Sequence, residues 1–160
     1  MKKKIKKPIV VVAVSGGFDP LHVGHVRMFD EAKQLGDKLV VILNNDNWLW
    51  RKKGHVFMPE KERKELLESL RAVDRVITTK HPKNPKDISV VKELRKLKPD
   101  VFANGGDRRP DGDPVPEVAV CDELGIKTVY NIGRGGKVQS SSWLLAKHVR
   151  DGKRNKKRVA

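Results

Sequence analysis

The sequence predicts an α/β fold: a doubly wound, five-stranded parallel sheet with helices on both faces. Two observations point to it. Short β-branched apolar runs recur along the chain ("IVVVAV", "KLVVILN", "RVITT", "DVFAN", "KTVYN"), as expected of strands buried on both faces. Between them lie segments whose apolar residues recur at helical spacing, the alternation that builds a parallel sheet. With 160 residues and 38% hydrophobic content, the chain can bury one sizeable core but not two comfortable ones.

Taken in order, Ile9 to Ser15 reads as the first strand. Val23, Val26, Met28, Phe29, Ala32 and Leu35 then mark a helix that Gly36 stops. Lys38 to Asn44 is the second strand, completing a right-handed β-α-β unit. Asn45 to Met58 reads as a long loop, followed by a helix from Pro59 to Arg71 and a strand from Arg75 to Thr79. A helix from Ile88 to Leu97 ends before Pro99, and a strand follows to Asn104. A second long loop, Gly105 to Pro116, leads into a helix from Pro116 to Leu124. A strand from Lys127 to Asn131 and a helix from Ser141 to Val149 complete the Rossmann-like series. In such sheets the ligand crevice opens beyond the carboxyl ends of the strands, where strand order reverses. The unusual motifs are expected at that edge.

Charge narrows the function less than the formal +15 suggests. Five lysines fall in residues 1–7, and seven Lys or Arg against one acid fall in 147–160, leaving 23 basic and 19 acidic residues between. The folded domain is expected over residues 8–149, with basic tails at 1–7 and 150–160. Such tails attract polyanions without defining the domain's chemistry, so nucleic-acid binding through them is the secondary reading. The lone Cys121 leaves no disulfide framework and suits a reducing compartment, which points to the cytoplasm. The longest apolar run is far short of the roughly 20 residues that cross a bilayer, so no membrane partner is expected.

The stretch "GGFDPLHVGH", Gly16 to His25, does little for a strand or a helix. Gly16 and Gly17 give the chain φ freedom and let a phosphate approach backbone N–H groups. His22 and His25, three apart with Gly24 between them, share one face of the first helical turn at the positive end of the helix dipole. Two imidazoles and free N–H groups aimed at one spot make an anion site.

This stretch resembles the HxGH motif of the nucleotidyltransferase superfamily that includes glycerol-3-phosphate cytidylyltransferase and heptose 1-phosphate adenylyltransferase. "NNDNWLWRKKG", "PEKERKELLESLRAVDRVI", "KPDVFANGGDR" and "QSSSWLL" resemble the family's later motifs in their family order, from about Ile9 to His148. The resemblance implies transfer of a nucleoside monophosphate from a nucleoside triphosphate to a small phosphorylated acceptor, with release of pyrophosphate. CTP leads as donor with ATP next, and a polyol or sugar phosphate leads as acceptor. The alternative is ATP with FMN or a heptose phosphate. Magnesium would bridge the triphosphate rather than sit in a protein cage, and homodimers are common among the proteins it resembles.

Residue by residue, the resemblance makes His22 and His25 donors to the triphosphate, with Lys53 and Arg71 completing the catalytic set. It assigns nucleotide contacts to Gly16, Gly17, Phe18, Asp19, Gly24, Lys52, Arg63, Gly106, Asp107, Ser140, Ser141 and Ser142. Asp19 and Asp46 fall near the acceptor. Trp48 and Trp50 either stack on a ligand or pack.

Overall fold

A computed structural model describes residues 7–105, 116–133 and 139–159. Its elements are β1 (Val11–Gly16), α1 (Val23–Lys33), β2 (Lys38–Leu43), α2 (Asp46–Lys53), α3 (Glu60–Glu68), β3 (Arg75–Thr78), α4 (Val91–Leu97), β4 (Val101–Gly105), α5 (Pro116–Leu124), β5 (Lys127–Ile132) and α6 (Ser141–Val159). The five strands lie in the order β3-β2-β1-β4-β5, and every pair is parallel. Strand order reverses between β1 and β4, so the crevice expected of a doubly wound sheet opens there.

The side-chain alternation of β1 sends Val12 and Val14 to one face and Ala13 to the other, and each face carries its own core. Val12, Val14, Leu39 and Val41 pack with Phe29 and Ala32 of α1 and Leu67 of α3. Ala13, Ile42 and Phe102 pack with Leu94 of α4 and with Val120 and Cys121 of α5. Cys121 is therefore a core residue, and burial raises its thiol pKa.

Two expectations need correction. The stretch from Asn45 is not all loop, because α2 occupies residues 46–53. Asn45 caps it, its side-chain oxygen accepting the Trp48 N–H at 3.1 Å, and Gly54 closes it at φ 73°. The last helix also continues well past Val149, to Val159. No helix among the described residues is long and apolar enough to cross a membrane.

Candidate active site

β1 delivers the chain into Gly16 and Gly17, but neither glycine sits at positive φ; the left-handed residue is Phe18, at φ 49°. The glycines answer to packing. A Cβ at Gly17 would lie 2.8 Å from Leu49 Cδ2 and 3.1 Å from Trp48 Cζ3, so glycine lets α2 settle against the strand end. Phe18 is buried, and its ring meets His25 edge-on at 4.9 Å and Phe29 at 5.2 Å. Phe18 therefore props His25 from the core side.

His22 and His25 cap α1 for each other. His22 Nδ1 accepts the Gly24 N–H at 3.1 Å, and His25 Nδ1 accepts the His22 N–H at 3.3 Å, the reciprocal pattern that Ser and Glu usually form. The rings stack at 3.7 Å. Burial, then the His22 ring and Lys53, hold the His25 pKa down to about 3, and burial with Lys53 lowers that of His22. Both rings are thus neutral near pH 7. With each Nδ1 accepting a backbone proton, each ring proton must reside on Nε2. The pair offers two fixed N–H donors without carrying charge.

The positive charge comes from Lys53, in the last turn of α2, whose ammonium donates to the Asp19 carbonyl at 3.1 Å. Burial lowers its pKa, the nearby Asp19 opposes that shift and Arg63 adds to it. Lys52, beside it, is exposed. From the other side, Ser141 Oγ donates to the Pro20 carbonyl at 2.9 Å, which draws the start of α6 against the segment leading into α1. Ser140 Oγ accepts the Trp143 N–H at 3.1 Å as a cap, and Ser142 is exposed in the first turn. The starts of α1 and α6 are therefore held together beside the histidines, where the positive ends of two helix dipoles favour phosphate.

Three assignments change. Asp19 is fully buried, and its two carboxylate oxygens accept the Phe57 and Met58 N–H groups at 2.7 Å each, so it pins a chain segment instead of meeting a nucleotide or acceptor. Arg63 is 1% exposed. Its guanidinium donates to the carbonyls of Met58 (2.9 Å), Gly17 (2.6 Å) and Asn44 (2.8 Å) and to Asp46 Oδ1 (2.6 Å). Four of its five N–H donors go to tying β1, β2, α2 and α3 together, and its buried side chain presents no open face to a triphosphate. Arg71 is exposed, in the connection from α3 to the start of β3. That is the amino edge of the sheet, about a strand's length from the histidines, so Arg71 cannot share their site.

Asp46, besides pairing with Arg63, lines a cleft of about 380 Å³ with Asn45, Asn47, Pro59, Glu60 and Lys61. Gly106 and Asp107 lie outside the described residues. The sequence reading missed Asn45, which caps α2 and donates from its amide to the His81 carbonyl at 2.9 Å. An Asn nine residues ahead of a Gly, the two caps of a short helix, was the available signal. Among the described residues no cluster of three or more His, Cys, Asp or Glu converges as a metal site.

A family model described as cytidylyltransferase-like matches residues 13–113. The FAD synthase of Pyrococcus abyssi (strain GE5 / Orsay) is 42% identical over 98 residues, 61% of this chain and 63% of that protein. The chain thus spans less than two thirds of that relative's length. The FAD synthase of Aciduliprofundum boonei is 36% identical over 119 residues, 74% of each chain. Among solved structures, the lipopolysaccharide core biosynthesis protein from Thermoplasma volcanium GSS1 superposes with a TM-score of 0.62 at 30% identity, covering 78% of this chain and 97% of that one.

Proposed function

The chain belongs to the cytidylyltransferase-like family, and on that premise we propose that it transfers the adenylyl group of ATP to FMN, forming FAD and releasing pyrophosphate. The observation that carries this reading is the name shared by several relatives, FAD synthase, at 34–42% identity over 98–110 residues. ATP and FMN therefore take precedence over CTP and a polyol phosphate, which none of those names supports.

The chemistry asks little of the protein beyond positioning and charge. A phosphate oxygen of FMN attacks the α-phosphorus in line, the bond from that phosphorus to the β-phosphate bridging oxygen breaks, and pyrophosphate leaves with the electron pair. FMN arrives largely ionised near pH 7, so no protein base has to remove a proton. His22 and His25 donate from Nε2 to the oxygens on which charge grows, and being neutral they remain donors throughout the physiological range. Lys53 supplies the compensating cation from α2. The start of α6, where Ser142 is exposed, receives the β- and γ-phosphates. Magnesium bound to the triphosphate would neutralise part of its charge and order it. Asp46 and the cleft beside it lie on the acceptor side, next to β2.

The test is product analysis with the purified chain. FMN with each of ATP, CTP, GTP and UTP, followed by chromatography for FAD and an assay for pyrophosphate, should give FAD with ATP at the highest rate. Formation of CDP-glycerol from CTP and glycerol 3-phosphate, without any FAD, would restore the cytidylyltransferase reading.

A further inference from the structure

We propose that α6 beyond Leu145 is a basic arm that binds the phosphate backbone of double-stranded nucleic acid. In sequence, residues 147–159 are a charge run, with seven Lys or Arg against one acid. The structure gives that run a shape: α6 continues without a break from Ser141 to Val159, so the charges belong to a helix and not to a loose tail. Its start is fixed to the domain, since Ser141 is buried and its Oγ donates to the Pro20 carbonyl at 2.9 Å. Leu144 and Leu145 are partly buried, and from Ala146 to Asp151 every residue is exposed. Residues 146–159 carry the helix about 20 Å further along its axis.

Such a helix is poorly supported by itself. It has no buried face from Ala146 to Asp151, and Gly152 falls in its interior, where glycine weakens a helix. Like charges recur four residues apart at Arg150, Arg154 and Arg158 and again at Lys153 and Lys157, a spacing that destabilises an isolated helix. Most helical stability comes from packing, and a stretch of this length without it is marginal in water. A partner dense in negative charge supplies what is missing, because neutralising the run removes the repulsion. The register suits that partner: Lys147, Arg150, Arg154 and Arg158 follow one another by three or four residues, so their positions line one face along the arm.

The residue types select among polyanions. A helix that lies on a membrane needs an apolar face to sink into the headgroup boundary, and from 146 to 159 the apolar residues are Ala146, Val149 and Val159 alone. Single-stranded nucleic acid is held largely by bases stacked on aromatic rings, and no Phe, Tyr or Trp follows Trp143. A duplex needs neither feature. It presents one negative charge per about 1.7 Å of its axis, and cations that meet it release its condensed counterions. Phosphate contacts carry no sequence information, so the arm takes duplexes irrespective of sequence. This binding is separate from adenylyl transfer, whose assigned residues all precede Trp143.

The experiment titrates short fluorescein-labelled duplexes of mixed sequence, DNA and RNA, with the full chain and reads polarisation from about 50 to 200 mM salt. The expected result is duplex binding whose log affinity falls linearly with log salt. In the combined variant Arg154→Gln, Lys157→Gln and Arg158→Gln, the DNA slope should become shallower by about 2–3 and binding at low salt should weaken at least about tenfold. FAD formation and the melting temperature should stay as in wild type. Gly152→Pro keeps the charge and interrupts the helix, and it should also weaken binding about tenfold. Wild type that binds no duplex at low salt overturns the proposal. So does a combined variant that binds as wild type does, which would assign the attraction to the lysines of residues 1–7. Wild-type affinity in Gly152→Pro overturns the helical arm in favour of an unstructured tail of the same charge. Equal affinity for single strands, or tighter binding to phosphatidylserine vesicles than to duplexes at the same salt, overturns the choice of partner.

Discussion

At the amino edge of the sheet, Asp37, Asp74 and Asp100 each stand one residue ahead of a strand, and each carboxylate accepts a backbone N–H where the neighbouring strand begins. Asp37 accepts from Val10, Asp100 from Val11 and Asp74 from Leu39, at 2.7–2.8 Å. At the carboxyl edge, Asp19 and Asp46 also bind protein groups, but those groups belong to loops and to Arg63. The same side chain staples both edges. At the lower edge it registers strands; at the upper edge it fixes the segments that present Lys53 and the histidines, leaving cationic and N–H donors facing the crevice. The contrast separates stability from chemistry, as expected of a doubly wound sheet.

The largest expected break is His25→Ala. Loss of one fixed donor should lower kcat about 10²–10³-fold, the range seen when an oxyanion donor is removed, while melting moves by only a few degrees at pH 7. Asp74→Ala should do the opposite. Although desolvation works against it, bonds from Lys33, the Leu39 N–H and Lys38 hold the Asp74 carboxyl at about 2. Removing it should cost about 1–3 kcal/mol in urea unfolding and leave the kcat of the folded enzyme unchanged.

His25 has a folded pKa of about 3, below its ordinary value of 6.5, so between those values the unfolded chain binds a proton that the native chain refuses. Stability is therefore full above pH 6.5 and falls as pH drops towards 3, by up to about 1.4 kcal/mol per pH unit. Asp74 acts only below its ordinary carboxylate range. Melting scans from pH 7 to 4.5 should thus slope downward in wild type and flatten in His25→Gln.

Lys53→Ala should reduce kcat about tenfold and shift the ATP KM less than threefold, because its charge matters most as charge develops on the leaving group. A change in KM with kcat intact would make Lys53 a ground-state contact. Smallest of all is Arg71→Ala: at the lower edge it should leave both kinetic constants within about twofold, and a large loss would put the arginine back in the site.

Most of the architecture was legible because β-branched runs and helical periodicity report burial directly. The exception, α2, is short and carries "WLWRKK", whose few apolar positions resemble a loop; only its Asn45 and Gly54 caps betray it. In the site, the histidines were legible because their spacing fixes a helix face. The buried roles of Arg63 and Asp19 were not, since both are ordinary ligand types and only tertiary packing shows that both are buried and bonded inside the protein. Arg71 misled for a related reason: its motif begins on the right helix, but the arginine falls beyond that helix's far end, away from the crevice.

The most direct test of the central claim, that a neutral histidine pair donates from Nε2 at the carboxyl edge, is a nitrogen-15 NMR spectrum of the histidine side chains, recorded from pH 5 to 8 with and without ATP and magnesium. His25 is expected to remain in the Nε2–H form across that range and His22 to hold it near pH 7, with both Nε2 signals moving when ATP binds. An imidazolium signal from His25 at pH 7, or nucleotide binding that leaves both rings unmoved, would contradict it.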